Sequence, residues 1–172
     1  MFGLRIQFLG ELNIGSTPAL LIGEKSEKVF LFVHGLHGNK EEALAFAEVA
    51  VPKGYQVLGV ELPLESKPWE VLPLLNEVCD YLYSNWKSVS VRANSIGSWF
   101  SLLALQNKKV DQALFVSPIL DMKEFVDDLS TREDVMGCNR MRWRVPAAFA
   151  VRSPYTAKPR QTSRTARAYF VR

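Results

Sequence analysis

A chain of 172 residues with 48% hydrophobic content is long enough to bury one core and too short for two comfortable domains. No stretch approaches the roughly 18 apolar residues of a membrane span, and the N-terminal MFGLRIQFLGEL lacks the charged-then-apolar layout of a secretory signal, so the expectation is a soluble, cytoplasmic protein without a membrane partner. The net charge of +3 conceals a division: residues 1–131 hold 2 Arg, 9 Lys and 16 acids, whereas residues 132–172 hold 9 Arg, 1 Lys and 2 acids.

Leu4 to Leu9 alternates apolar and polar positions, and Ala19 to Ile22 is a short apolar run after Thr17-Pro18; together they predict an antiparallel entry to a sheet. Val29 to Val33 (VFLFV) is continuously apolar, the pattern of a strand buried on both faces of a parallel sheet. Asn39 followed by Glu42 reads as a helix N-cap with its capping-box partner, after which Leu44, Ala47 and Val51 recur at helical spacing until Pro52 and Gly54. The alternation then repeats. Val57 to Val60 predicts a strand, and Trp69 to Trp86 a helix with Leu72, Leu75, Cys79, Leu82 and Trp86 on one face, where Pro73 is tolerable only in a first turn. Ser88 to Ala93 predicts a strand, Ile96 to Gln106 a helix apolar nearly all round, and Val110 to Val116 a further strand. Strand and helix in alternation specify an α/β fold, a three-layer sandwich around a mostly parallel central sheet, over residues 1–131.

Beyond Asp134 no acid occurs and no clear period holds, so residues 132–172 read as an atypical basic tail with one strand at 145–151 (VPAAFAV) and otherwise poor order. Its arginines are scattered and form no recognisable nucleic-acid motif, so a nucleic-acid partner is not expected. The tail is either a solvated arm or a stretch translated out of frame, which the encoding nucleotides beyond codon 131, read in the other two frames, distinguish. Cys79 and Cys138 have neither metal or redox spacing nor the density of a disulfide scaffold and are expected to be reduced thiols.

In a parallel sheet the working groups collect at the carboxyl ends of the strands. Two candidate segments fall there: His34-Gly35-Leu36-His37-Gly38, and Ala93-Asn94-Ser95-Ile96-Gly97. The second reads as a nucleophile elbow. A strand-to-helix turn this tight tolerates only small neighbours, here Ala93 and Gly97, and holds the serine hydroxyl above the sheet edge. The Ile96 amide then lies at a helix N-terminus, where unpaired N–H groups favour an oxyanion, and the glycine-flanked Leu36 amide is the natural second donor.

Four segments, VFLFVHGLHGNKEEA, YQVLGVELP, VRANSIGSWFSLLAL and ALFVSPILDM, together resemble the α/β-hydrolases, in particular the small serine esterase, thioesterase and aminopeptidase-like branch. The resemblance covers roughly residues 28–122. Singly each segment is weak; in this order and spacing they are strong. It implies Ser95 as nucleophile toward a small-molecule carboxylic ester, thioester or amide, Leu36 and Ile96 as oxyanion hole, a supporting loop and elbow of His34, Gly35, Gly38 and Gly97, and neither metal nor cofactor. In the family His34 shapes the loop by hydrogen bonding. The family's acid follows a later strand in a Gly-x-x-Asp context and its histidine follows the last strand, whereas here VPAAFAV runs into Arg152-Ser153-Pro154 and both histidines, His34 and His37, precede Ser95. The expectation is therefore a partial fold lacking the usual C-terminal strands and helix, through truncation or frameshift, with impaired hydrolysis; the alternative is a non-catalytic binding or scaffold protein. Plainer roles stand beside these: Ser95 as a helix N-cap, His37 as an exposed loop residue, Asp121 as an N-cap or solvated acid, and Asp127 and Asp128 as a charged helix face. The sequence leaves the oligomeric state open.

Overall fold

A computed structural model describes residues 9–125 and 168–171, which fall into two units, Met1–Pro118 with Ala166–Arg172, and Ile119–Thr165. The first unit is built on one seven-stranded sheet: β1 (Leu9–Ile14), β2 (Thr17–Ile22), β3 (Lys28–Val33), β4 (Gln56–Val60), β5 (Ser88–Asn94), β6 (Ala113–Val116) and β7 (Ala168–Val171), in the order β1-β2-β4-β3-β5-β6-β7. β3 runs parallel to β4 and β5, and β5 parallel to β6, while β1, β2 and β7 join antiparallel. The expected antiparallel entry is present as the β1–β2 hairpin, turned at Gly15 with φ 56°. Of the alternating stretch 4–9 only Leu9 lies among the described residues. The tail strand expected at 145–151 lies outside them, as do Cys138, Asp127 and Asp128; the described part of the tail is β7, paired to β6 from Ala113↔Val171 to Val116↔Ala168.

Three helices cover the sheet: α1 (Ala43–Ala50), α2 (Pro68–Asn85) and α3 (Ile96–Leu105). Register decides which residues face which layer, because side chains alternate along each strand. Phe30 and Phe32 pair across to Val57 and Gly59 and share their face with Leu20 and Ile22; this face packs on Ala43, Ala47 and Ala50 of α1. At Gly59 the approach is tight, since a Cβ there would lie 2.5 Å from the Lys40 carbonyl oxygen and 2.7 Å from Ala43 Cβ. Val29, Leu31 and Val33 point to the opposite face, where α3 begins against Val33, and α2 packs on α3. With layers on both sides, every residue of β4 is buried.

Two local readings are corrected. No capping box forms at Asn39: a 3-10 turn over Lys40–Glu42 precedes α1, its N-cap Asn39 makes no side-chain bond, and the Glu42 carboxylate turns toward Gly38 and Asn94 instead. Pro73 is not in the first turn of α2, which begins at Pro68; it sits inside the helix on the exposed side, so the missing N–H withholds a bond only from Trp69 while Val71, Leu75, Val78, Cys79 and Leu82 remain buried. In the second unit, Asp121 Oδ1 accepts the amides of Lys123 and Glu124 at 2.9 and 3.1 Å, so it caps the helical turn 122–125.

Cys79 is a free, buried thiol whose pKa burial pushes up from 9.0 to about 11. Tyr83 is pushed up likewise, from 10.0 to about 12, chiefly by desolvation. In both groups the charged form is the deprotonated one, so the unfolded chain loses protons before the folded chain does, and stability falls as pH rises through the window from about 9 to 12. In a Cys138→Ser variant, Ellman's reagent at pH 8 is expected to leave Cys79 unmodified until urea unfolds the chain; prompt reaction in the folded state contradicts the burial.

Candidate active site

The strand order places a switch point at the carboxyl end of the sheet. From β3 the chain passes to α1 on one face and then to neighbouring β4; from β5, on the other side of β3, it passes to α3 on the opposite face. The loops leaving β3 and β5 therefore diverge, and the crevice between them is where an open α/β sheet presents its ligand-binding groups. Both segments singled out in the sequence lie there.

Ser95 follows β5 with φ 47° and ψ −122°, a conformation that costs a non-glycine residue of order 1–3 kcal/mol and persists only where its surroundings impose it. Three features impose it. The Ser95 amide donates to Val116 O at the end of β6, at 2.9 Å; the Ser98 amide returns to Ser95 O at 3.1 Å; and the Ser98 hydroxyl bonds Ala93 O at 3.3 Å. Gly97 permits the approach, since a Cβ there would overlap the His34 carbonyl oxygen and stand 2.9 Å from Val33 Cγ1. The half-buried Ser95 caps no amide of α3, and its hydroxyl has no partner among the described residues, which removes the helix-capping reading. The Ile96 amide is the first N–H of α3 and has no acceptor within the helix.

The facing loop is shaped by His34, which is 2% exposed. Its Nδ1 lies 2.7 Å from Gly35 O, and its Nε2 accepts the Leu62 amide at 3.1 Å, so only the neutral Nδ1–H tautomer satisfies both and neither nitrogen is free to take a proton from Ser95. The loop closes as a turn, Gly38 N–H to Gly35 O at 3.1 Å, with Leu36 and His37 at its tip; Leu36 is 43% exposed and His37 has φ 59°. The two loops run close enough that a Cβ added at Gly35 would sit 3.5 Å from Ser95 Cβ. Gly38 is similarly confined, a Cβ there falling 2.6 Å from Glu42 Oε1 and 2.9 Å from His34 Cβ.

Two groups of neighbours were not apparent from the sequence. Arg92, on β5, lies over the rings of Phe32 and Phe46 and donates to Asn94 Oδ1 at 2.5 Å, while Asn94 Nδ2 reaches Glu42 Oε2 at 3.5 Å. Burial lowers the Arg92 pKa. This chain orients the residue before Ser95 and ties it to the turn that opens α1. The second is Glu65, in the loop after β4, whose carboxylate meets His37 Nδ1 at 2.5 Å. No sequence spacing signals either contact, because each joins segments that only the sheet order brings together. Among the described residues no cluster of His, Cys, Asp and Glu is placed to hold a metal ion, and no helix is long and apolar enough to cross a membrane.

No family model and no curated protein sequence matches the chain. Solved structures do. A candidate esterase from Staphylococcus aureus superimposes with a TM-score of 0.57 at 21% identity, covering 78% of this chain and 52% of that one. An esterase of the bacterial hormone-sensitive lipase family gives 0.55 at 20% identity, covering 67% and 45%, and the thioesterase domain from the curacin biosynthetic pathway gives 0.54 at 18%, covering 72% and 51%. The chain thus spans about half the length of the solved structures it matches. Together with the strand order and the elbow at the switch point, these superpositions show that the chain has the α/β-hydrolase fold.

Proposed function

We propose that this chain carries the nucleophile and oxyanion-binding half of a serine hydrolase site, acting on a small-molecule carboxylic ester, thioester or amide by acyl transfer. The observation that carries the reading is Ser95, held at φ 47° and ψ −122° with an uncommitted hydroxyl at the switch point of the sheet. Strain of this kind is retained where geometry serves chemistry. Ser95 Oγ attacks the acyl carbon, and the amides of Leu36 and Ile96 hold the oxygen on which charge develops. Such donors act in place, without reorganisation, and each is worth on the order of a hundredfold or more in rate.

Catalysis by this chain is impaired, because neither ring nitrogen of His34 is available and no histidine follows Ser95 in the sequence. Loss of the triad base costs on the order of a millionfold in an intact enzyme, while oxyanion groups and binding leave a residual acceleration. A fluorophosphonate probe is therefore expected to modify Ser95 slowly and specifically, and Ser95→Ala to abolish the modification. Labelling as fast as that of an intact serine hydrolase refutes the impairment; no label on Ser95 after prolonged exposure refutes the nucleophile and leaves a non-catalytic binding role.

A further inference from the structure

We propose that Glu42 and Asn94, anchored by Arg92, are positioning residues that hold the turn bearing the Leu36 amide in register with the elbow bearing Ser95 and the Ile96 amide, an assignment that rests on Ser95 being the nucleophile. The two amides must aim at one point, yet they belong to separate connections, one after β3 and one after β5. Among the described residues a single side-chain hydrogen bond joins those connections: Asn94 Nδ2 donates to Glu42 Oε2 at 3.5 Å. Asn94 immediately precedes Ser95. Glu42 ends the 3-10 turn Lys40–Glu42, which only Asn39 separates from the Gly35–Gly38 turn.

The Asn94 amide is held at its two ends by charges of opposite sign. Its Oδ1 accepts from Arg92 Nη1 at 2.5 Å and its Nδ2 faces the Glu42 carboxylate, so a flipped amide would set a donor against the guanidinium and an acceptor against the carboxylate. Arg92 itself has little freedom. Nη1 also donates to Ala93 O at 3.1 Å, and the guanidinium lies 5.9 and 5.8 Å from the ring centres of Phe32 and Phe46. Phe32 belongs to β3 and Phe46 to α1, the elements that flank the Leu36 turn. Arg92 forms no ion pair with a carboxylate among the described residues, so Asn94 is the side chain through which its charge acts.

Glu42 completes the link on the side of the turn. Its other oxygen, Oε1, occupies the space beside Gly38, where an added Cβ would lie 2.6 Å away. As an exposed carboxylate it is a weak tether for stability, because water competes for it and salt screens it. Placement is a different quantity. A displacement of order 1 Å in a reacting geometry costs on the order of a hundredfold in rate, so a contact that adds little to unfolding free energy can still set how well two donors converge. The sign separates this role from a bare charge effect: a negative group beside an oxyanion opposes it, so removal of the charge alone would speed the reaction.

The test follows modification of Ser95 by a fluorophosphonate probe across probe concentration, which separates the limiting rate from the half-saturating concentration. It uses the wild-type chain, Glu42→Ala, Glu42→Gln, Asn94→Ala and the double variant Glu42→Ala with Asn94→Ala, each also unfolded in urea. The expected result is a limiting rate about fivefold lower in each alanine variant, with the half-saturating concentration and the urea midpoint unmoved. The double variant is expected to be no slower than Asn94→Ala, since both substitutions cut the same link, and Glu42→Gln, which keeps an acceptor for Asn94 Nδ2, to recover most of the loss. Rates equal to wild type throughout, losses that multiply in the double variant, losses that track the urea midpoint, or a faster Glu42→Ala each overturn the positioning role while leaving the nucleophile intact. Absence of label on Ser95 in the wild type overturns the nucleophile itself, and the positioning role with it.

Discussion

Replacing Gly97 by alanine is expected to destabilise the chain by about 3 kcal/mol, more than most single substitutions do, because the added methyl has nowhere to go. Its Cβ would fall on the His34 carbonyl oxygen and 2.9 Å from Val33 Cγ1. The obstacle is backbone at the end of a central strand rather than the end of a flexible side chain, so relief requires α3 to move away from the sheet. That movement also separates the elbow from the Gly35–Gly38 turn, and Ser95 modification should fall with stability. Gly54→Ala is the control. Gly54 has φ 79° and nothing within 4 Å, so alanine there meets only the backbone penalty of the left-handed region, about 1 kcal/mol. Urea unfolding of the two variants separates steric from conformational cost; equal midpoints would mean that the approach at Gly97 is not the constraint described.

His34→Ala is expected to cost about 2–4 kcal/mol through a different route. The imidazole is fully inside, and its removal leaves the Leu62 amide without its acceptor, the Gly35 carbonyl with only the Gly38 amide as donor, and a cavity at the junction of β3, β4 and the turn. His34→Gln, which carries both a donor and an acceptor, should recover part of the loss, whereas His34→Leu fills volume without satisfying either group. The order Gln, then Leu and Ala, in urea midpoint is the expected result. A leucine variant as stable as wild type would show that the two hydrogen bonds contribute nothing net. Because His34 pins the turn bearing Leu36 and His37 to Leu62, its loss is also expected to slow Ser95 modification beyond the fraction of chain unfolded.

Much of the frame was legible before the structure. Val29 to Val33 and Val57 to Val60 carry the unbroken apolar pattern that only strands covered on both faces sustain, and both are central strands. Ser95 between Ala93 and Gly97 marked the elbow, since a strand-to-helix turn at that point admits only small residues, and Asp121 marked a cap. The capping box at Asn39 misled because a Glu three residues on satisfies the motif equally well when its carboxylate is drawn elsewhere, here toward Asn94. Pro73 was restricted to a first turn because propensity counts the lost hydrogen bond without knowing that the bond lies on the exposed side of α2.

What the sequence by itself determined is therefore local: which segments are strands or helices, which faces are apolar, and which serine sits at a turn too tight for bulk. Those properties follow from periodicity and from backbone sterics, and both act between near neighbours. Tertiary structure alone decided the pairings that join the loops of the candidate site. His34 meets Leu62, His37 meets Glu65, and Arg92 reaches Glu42 through Asn94, because β3 lies between β4 and β5 and the loops at their carboxyl ends share one edge. One histidine became a buried structural pin and the other an exposed partner of Glu65 for that reason, although the two are three positions apart in the same loop.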